Sequence, residues 1–195
     1  MKRAFDLSIS IVVLIVFLPL FIIVGLFIVL ESKGGVFYRQ ERIGKDLIPF
    51  YILKFRTMYL NADNNSKLTI GSKDSRITKI GYWLRKYKID ELPQFLNVAK
   101  GEMSIVGPRP EVNKYVALYN NDQKKVLCIK PGITDYASLE YFEENKLLGE
   151  SSNPEETYIK EIMPKKLKIN LKYVENHSFL TDLNIICKTF LRILS

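Results

Sequence analysis

Residues 11–30, IVVLIVFLPLFIIVGLFIVL, run for twenty positions without a charge. That is the length needed to cross a bilayer core of about 30 Å as a helix. A buried core helix fits poorly, because the segment has no polar face. A signal peptide is disfavoured, because the chain continues ESKGGVFYRQERIG with no small-residue cleavage pattern. Pro19 lies near the middle. It removes a backbone hydrogen bond and clashes with the carbonyl of Ile15, so a kink is expected there. Each half then reaches about 12–16 Å at ~1.5 Å per residue, too short to cross alone. Lys2 and Arg3 precede the segment; Lys33, Arg39, Arg42 and Lys45 follow it. A spanning helix would put one basic cluster outside, against the positive-inside tendency. A helix that enters, bends at Pro19 and returns keeps both clusters in the cytoplasm. A Pro-kinked spanning helix is the alternative. The chain has no second apolar run of this length, so a multi-span carrier or channel is not expected.

The remaining residues suffice for one globular domain with a core. Lys and Arg number 29 against 21 Asp and Glu, a net charge of +8. That excess suits an anionic partner: a lipid surface, nucleic acid or a phosphorylated substrate. His177 is the only histidine, which removes most Ser-His-Asp and Cys-His schemes and any His-rich zinc site. It reads as a surface loop residue. Cys128 and Cys187 form no metal pattern and suggest a reduced compartment. No glycine-rich nucleotide loop is present.

Segment 36–58 is rich in β-formers around a Gly-Lys-Asp turn and reads as a β-hairpin. Segment 61–67, NADNNSK, reads as a polar loop. In 76–88, Ile77, Ile80, Trp83, Leu84 and Tyr87 recur at helical spacing among Arg and Lys. The stripe fits a core-facing helix, and the basic residues with Trp83 fit a membrane surface. Asn153-Pro154-Glu155-Glu156 is a helix start, and Pro164 marks a bend within a helical region. The last helix takes Ser178 as its cap, with Leu183, Ile186, Phe190 and Ile193 on one face.

Residues 89–94 read IDELPQ. Asp90 fits a helix N-cap, with Glu91 in the first turn and Pro93 tolerated there. In AKGEMSIVGPRPE, Gly101, Gly107, Pro108 and Pro110 constrain a turn that holds Arg109. A planar guanidinium in a rigid frame suits a phosphate, whereas a solvated arginine needs no frame. A helix start gathers anions as well.

RAFDLSIS, the apolar segment with its internal Pro, VFYRQERIG, PFYILKFRTM, DELPQFLNVAKGEMSIVGPRPE, KPGIT and LKYVENHSFLTDLNIICKT occur in this order. The set resembles the bacterial sugar transferases over nearly the whole chain, and more narrowly their small monotopic phosphoglycosyl transferases of the PglC type. The resemblance implies transfer of a phosphosugar from a UDP-sugar to undecaprenyl phosphate, releasing UMP, through a covalent intermediate on an aspartate. It implies Asp90 as nucleophile, Glu91 as its partner, and both carboxylates as ligands of Mg²⁺. It also implies Lys54, Arg56 and Arg109 as binders of the donor phosphates. Pro19 takes the place of the family's membrane kink. Location is then the cytoplasmic face of the bacterial inner membrane, with lipid as a partner, no nucleic acid, and a homodimer left open. The expected fold is α+β, a small, mostly helical cytosolic domain (34–195) with a short β-hairpin. A re-entrant N-terminal membrane helix (1–33) and surface amphipathic helices anchor it. The chain departs from the family pattern at Asp135, at SLEYFEEN (138–145) and at Asn170, so the sugar is left unassigned. A non-catalytic membrane adaptor and a nucleic-acid binder are the alternatives. The first predicts salt-sensitive lipid binding that does not depend on Asp90 or Glu91; no motif supports the second.

Overall fold

A computed structural model describes residues 2–60 and 74–194; the polar loop expected at 61–67 lies outside them. The apolar segment forms two helices, α1 (Lys2–Val16) and α2 (Leu18–Glu31), bent by 59°. The break falls at Phe17, and Pro19 sits in the first turn of α2, where its missing N–H costs least. Among the described residues no single helix is long and apolar enough to cross a membrane, but the bent pair together has that length and composition. Ile11, Val12, Ile15, Ile22, Leu26 and Leu30 are exposed along it.

Both ends of the pair are tied to the same domain. Asp6 is buried, accepting from the Ser104 hydroxyl at 2.8 Å and the Ile105 N–H at 3.2 Å. Arg3 donates to the carbonyls of Val98 and Ala99, and Lys2 pairs with Asp182. At the far end, Glu31 accepts from the Lys79 and Ile80 N–H groups at 2.7 and 3.0 Å. It thereby satisfies the orphan donors that open helix α3 (Lys79–Lys86).

The rest is α+β and mostly helical, with two small sheets. Strands β1 (Phe37–Ile43) and β2 (Pro49–Phe55) form the expected antiparallel hairpin, with Phe37 opposite Phe55 and Ile43 opposite Pro49. After a short turn, α4 (Gln94–Lys100) leads to β3 (Ser104–Val106). Helix α5 (Asn113–Val116) follows, and then β4 (Gly132–Thr134), which pairs parallel with β3. The sequence reading saw a constrained turn at 99–111 but no strand there. Pairing arises because Gly107 and Gly132 let two backbones meet: a Cβ on Gly132 would lie 2.1 Å from the Gly107 nitrogen.

Helices α6 (Tyr136–Glu140), α7 (Glu144–Gly149) and α8 (Pro154–Thr157) lead through a π turn, Tyr158–Ile162, into α9 (Met163–Asn176). The chain closes with α10 (Phe179–Leu194). Asn153 caps α8 through the Glu156 N–H, Ser178 accepts from the Thr181 N–H, and His177 is exposed. Asp135 is a buried cap, accepting from the Ser138 N–H at 2.9 Å. In α10 the buried side is Asp182 and Ile185, while Phe190 is exposed. The expected face was therefore rotated. Asp182 turns inward because Tyr173 and Lys2 pair with it, and it carries Ile185 with it. The α3 stripe is split too: Leu84 is buried, while Trp83 and Tyr87 are exposed and stack on each other.

Phe50, Ile52, Val98, Met103, Ile105, Val106, Tyr173 and Ile185 form one core beneath the hairpin. Val24, Ile28, Phe55 and Leu84 form another, joining α2 to the domain. The chain around 89–94 runs between them: Ile89 packs on the second core and Phe95 on the first.

Candidate active site

Asp90 and Glu91 lie in a 3-10 turn, Ile89–Glu91, and both are buried. Asp90 is not a helix cap. Lys88 precedes the turn in a left-handed conformation (φ 56°), and α4 begins only at Gln94, after Pro93. Seven residues of helix starting past the dyad give it little axial dipole. Its electrostatics come from side chains instead.

Glu91 is clamped. Its Oε1 accepts from Lys54 Nζ at 2.7 Å and from Arg109 Nη2 at 2.5 Å. Burial pushes the Glu91 carboxyl up, but Arg109, Lys54 and Lys88 outweigh that and hold it well below the usual range. Asp90 differs. Its Oδ1 is buried with no hydrogen-bond partner. Burial raises its pKa, opposed by Lys54 and reinforced by the charge of Glu91. Two adjacent carboxylates are thus split into a fixed anion and an unpaired oxygen.

The frame explains the clamp. Lys54 comes from β2, whose edge is held by Asn97 of α4. Asn97 Oδ1 accepts from the Leu53 N–H at 3.0 Å, and its amide donates to the Tyr51 carbonyl at 2.8 Å. Arg109 follows β3. The Gly107 N–H donates to Thr134 and the Gly132 N–H to the Pro108 carbonyl. Arg42 donates to the Pro110 carbonyl at 3.2 Å and to Glu111 at 2.9 Å. One hairpin therefore supplies Lys54 and, at its other end, steadies the Arg109 loop.

Arg56 is not brought to the dyad. Its guanidinium donates to the carbonyls of Ser32 and Lys33 at 2.7 and 2.8 Å, at the end of α2. Arg56 stands just past the end of β2, so the alternation that would put it on the same face as Lys54 no longer sets its direction. Arg85 and Lys88, read from sequence as surface basic residues, are near enough for their charges to favour the ionised form of Asp90. Burial lowers the Arg85 pKa, and Asp90 and Asp74 oppose that. Their signal was position alone: Arg85 stands five residues before Asp90 in the last turn of α3. Lys54, Arg85, Lys88 and Arg109 together make this turn a place for an anion. No group of three or more His, Cys, Asp or Glu side chains able to hold a metal occurs among the described residues.

The family model of the bacterial sugar transferases matches residues 1–195. The chain belongs to the bacterial sugar transferase family. It is 33% identical over 197 residues to a UDP-N-acetylgalactosamine-undecaprenyl-phosphate N-acetylgalactosaminephosphotransferase of Aeromonas hydrophila. That match covers 100% of this chain and 44% of the relative. It is 35% identical over 196 residues to a UDP-glucose:undecaprenyl-phosphate glucose-1-phosphate transferase of Klebsiella pneumoniae, covering 96% of this chain and 39% of that protein. It is 36% identical over 194 residues to the uncharacterised sugar transferase EpsL of Bacillus subtilis, covering 100% of this chain and 87% of that protein. This family member thus spans less than half the length of the first two relatives and most of the third.

Proposed function

We propose that this bacterial sugar transferase moves a phosphosugar from a UDP-sugar to undecaprenyl phosphate and releases UMP. The observation that carries the mechanism is the unpaired, buried Oδ1 of Asp90 beside a Glu91 locked by Lys54 and Arg109. The Asp90 carboxylate attacks the β-phosphorus of the donor. A bond forms between Asp90 and phosphorus as the bond to the bridging oxygen breaks, and that oxygen leaves on UMP. An oxygen of undecaprenyl phosphate then attacks the same phosphorus, frees Asp90, and completes the diphosphate-linked lipid. A carboxylate is a weak nucleophile, so the phosphates must be neutralised and oriented. Arg109 suits that with its fork, Lys54 as a point charge. Arg56 serves differently, fixing the end of α2 beside β2.

The residues fit Mg²⁺ only if the substrate completes its shell. Mg²⁺ takes oxygen ligands, commonly one or two carboxylates with phosphates and water. Asp90 and Glu91 are the carboxylates that would hold it, and the ion supplies neutralisation of phosphate charge when bound. Lys54 and Arg109 orient the donor, and burial of the turn excludes water.

The bent α1–α2 pair is read as re-entrant in the inner membrane, with residues 34–195 as the catalytic domain on the cytoplasmic face. Its exposed apolar flanks and its two ends tied to one domain support that reading.

The test is UMP release from the membrane-embedded chain given undecaprenyl phosphate, a UDP-sugar and Mg²⁺. Omitting the metal is expected to abolish release. Asp90→Asn is expected to be inactive, and full activity in that variant would sink the mechanism. In the wild-type chain, brief incubation with donor alone should leave phosphosugar on Asp90, found by peptide mass spectrometry. Label on Glu91 instead would reverse the two roles.

A further inference from the structure

Behind Arg109 lies a cavity of about 40 Å³, between the Pro108–Pro110 loop and α9. Its walls are largely apolar, with Val126, Ile129 and Leu167, and its polar lining includes Arg109, Lys166 and Asn170. Asn170 is 5% exposed, and its Oδ1 is buried without a hydrogen-bond partner. Buried side-chain oxygens are nearly always satisfied, so an orphan on a cavity wall marks a place for an absent partner. The cavity exceeds what one water needs, ~10–15 Å³, yet falls well short of the ~150 Å³ that takes a benzene ring. It suits a small substituent, not a nucleobase.

We infer that this cavity receives the 2-acetamido group of the donor sugar and that Asn170 reads it. The inference rests on the transferase reading. An amide side chain both donates and accepts, so it pairs with a secondary amide in both directions. The acetyl methyl would lie on the apolar wall of Val126, Ile129 and Leu167. A sugar hydroxyl could satisfy Oδ1 but would leave that wall bare. Placement agrees: Arg109 lines the cavity and also bonds Glu91. A phosphate held by Arg109 has the C2 substituent of its sugar only a few bonds away. Lys166 borders the same cavity and pairs with Glu144 at 2.5 Å. The 138–145 segment, where the chain departs from its family, therefore helps hold the wall.

The experiment compares kcat/KM for UMP release with UDP-GlcNAc, UDP-GalNAc, UDP-glucose and UDP-galactose, using the full chain in membranes with undecaprenyl phosphate and Mg²⁺. The wild type is expected to favour an acetamido sugar by at least about tenfold, the scale of one satisfied polar contact. Asn170→Leu keeps roughly the volume and removes both the donor and the orphan acceptor. It should cut that preference to near unity. Thermal unfolding checks that the variant is folded, and the wild-type ratio stands without it. A wild type that favours plain hexoses, or an unchanged ratio in the variant, overturns the inference and leaves Asn170 holding only a water. Release of UMP from none of the four sugars overturns the transferase reading itself.

Discussion

Two neighbouring carboxylates answer differently to the same isosteric change. Glu91 is charged, buried and paired twice, so its folded-state pKa lies below its unfolded value. Such a group contributes stability above the unfolded pKa, and loses it as pH falls through the folded one. Glu91→Gln removes that contribution and leaves Lys54 and Arg109 facing a neutral amide, at a cost of about 3 kcal/mol. Asp90 has the opposite sign. Its folded pKa is raised by burial, so its charge weakens the fold as pH rises through the window between the unfolded and folded values. Asp90→Asn should leave Tm unchanged or raise it by about 2–4 °C at neutral pH. Thermal unfolding of both variants in detergent checks the pair, and two shifts of the same sign would refute the division of roles. The kcat/KM profile follows from the same shift. Its acid limb, reporting the free enzyme, should fall above the ordinary aspartate value of about 4. A limb at or below that value would mean Asp90 is not the group titrating.

At the scale of elements, the site depends on two backbones touching. A Cβ on Gly132 would meet the Gly107 nitrogen at 2.1 Å, and backbone cannot swing aside as a side chain can. Gly132→Ala should therefore push β3 from β4 and displace the loop carrying Arg109. An ångström there is expected to cost roughly 100-fold in kcat, with the secondary structure by circular dichroism retained. Wild-type turnover would show that the frame does not set Arg109. This contact also marks where sequence reading stopped. The hairpin, the break near Pro19 and the helix starts at Asn153 and Ser178 were legible, because each rests on local pattern; the grouping of IDELPQ with Arg109 came from the family resemblance. The β3–β4 pair was not, because three-residue strands carry no period and paired residues stand 28 apart, Ser104 with Gly132 and Val106 with Thr134. Asp90 looked like a cap because a cap and a 3-10 turn share residue types. Arg56 looked like a phosphate ligand because the sequence does not show that α2 ends beside it. Arg85 and Lys88 were invisible for the same reason: their partners come from folding, not spacing.

For the whole molecule the question is whether the α1–α2 pair crosses or returns. Helices of 15 and 14 residues reach about 22 and 21 Å at ~1.5 Å per residue. Bent by 59°, an arch with both feet level rises only ~11 Å, about a third of a ~30 Å core. The feet are held level by contacts to one body: Asp6 to β3 at the start, and Glu31 to α3 and Arg56 to Ser32 at the end. Crossing would require breaking one set, leaving either Asp6 or Arg56 without its partners at a cost of several kcal/mol. Re-entry keeps both. It would also bring the exposed Trp83 and Tyr87 of α3, the helix joined to the end of α2 through Glu31, towards lipid. The check is labelling of single cysteines in intact cells with a membrane-impermeant reagent. Cys128 and Cys187 are exposed and must first become serine. Lys2 is engaged by Asp182, so the first probe belongs at the exposed Ala4 and the second at Lys33. Both Ala4→Cys and Lys33→Cys should be protected in intact cells and labelled once the membrane is permeabilised. Labelling of either in intact cells would put that end outside, and the arch would have to be redrawn as a span.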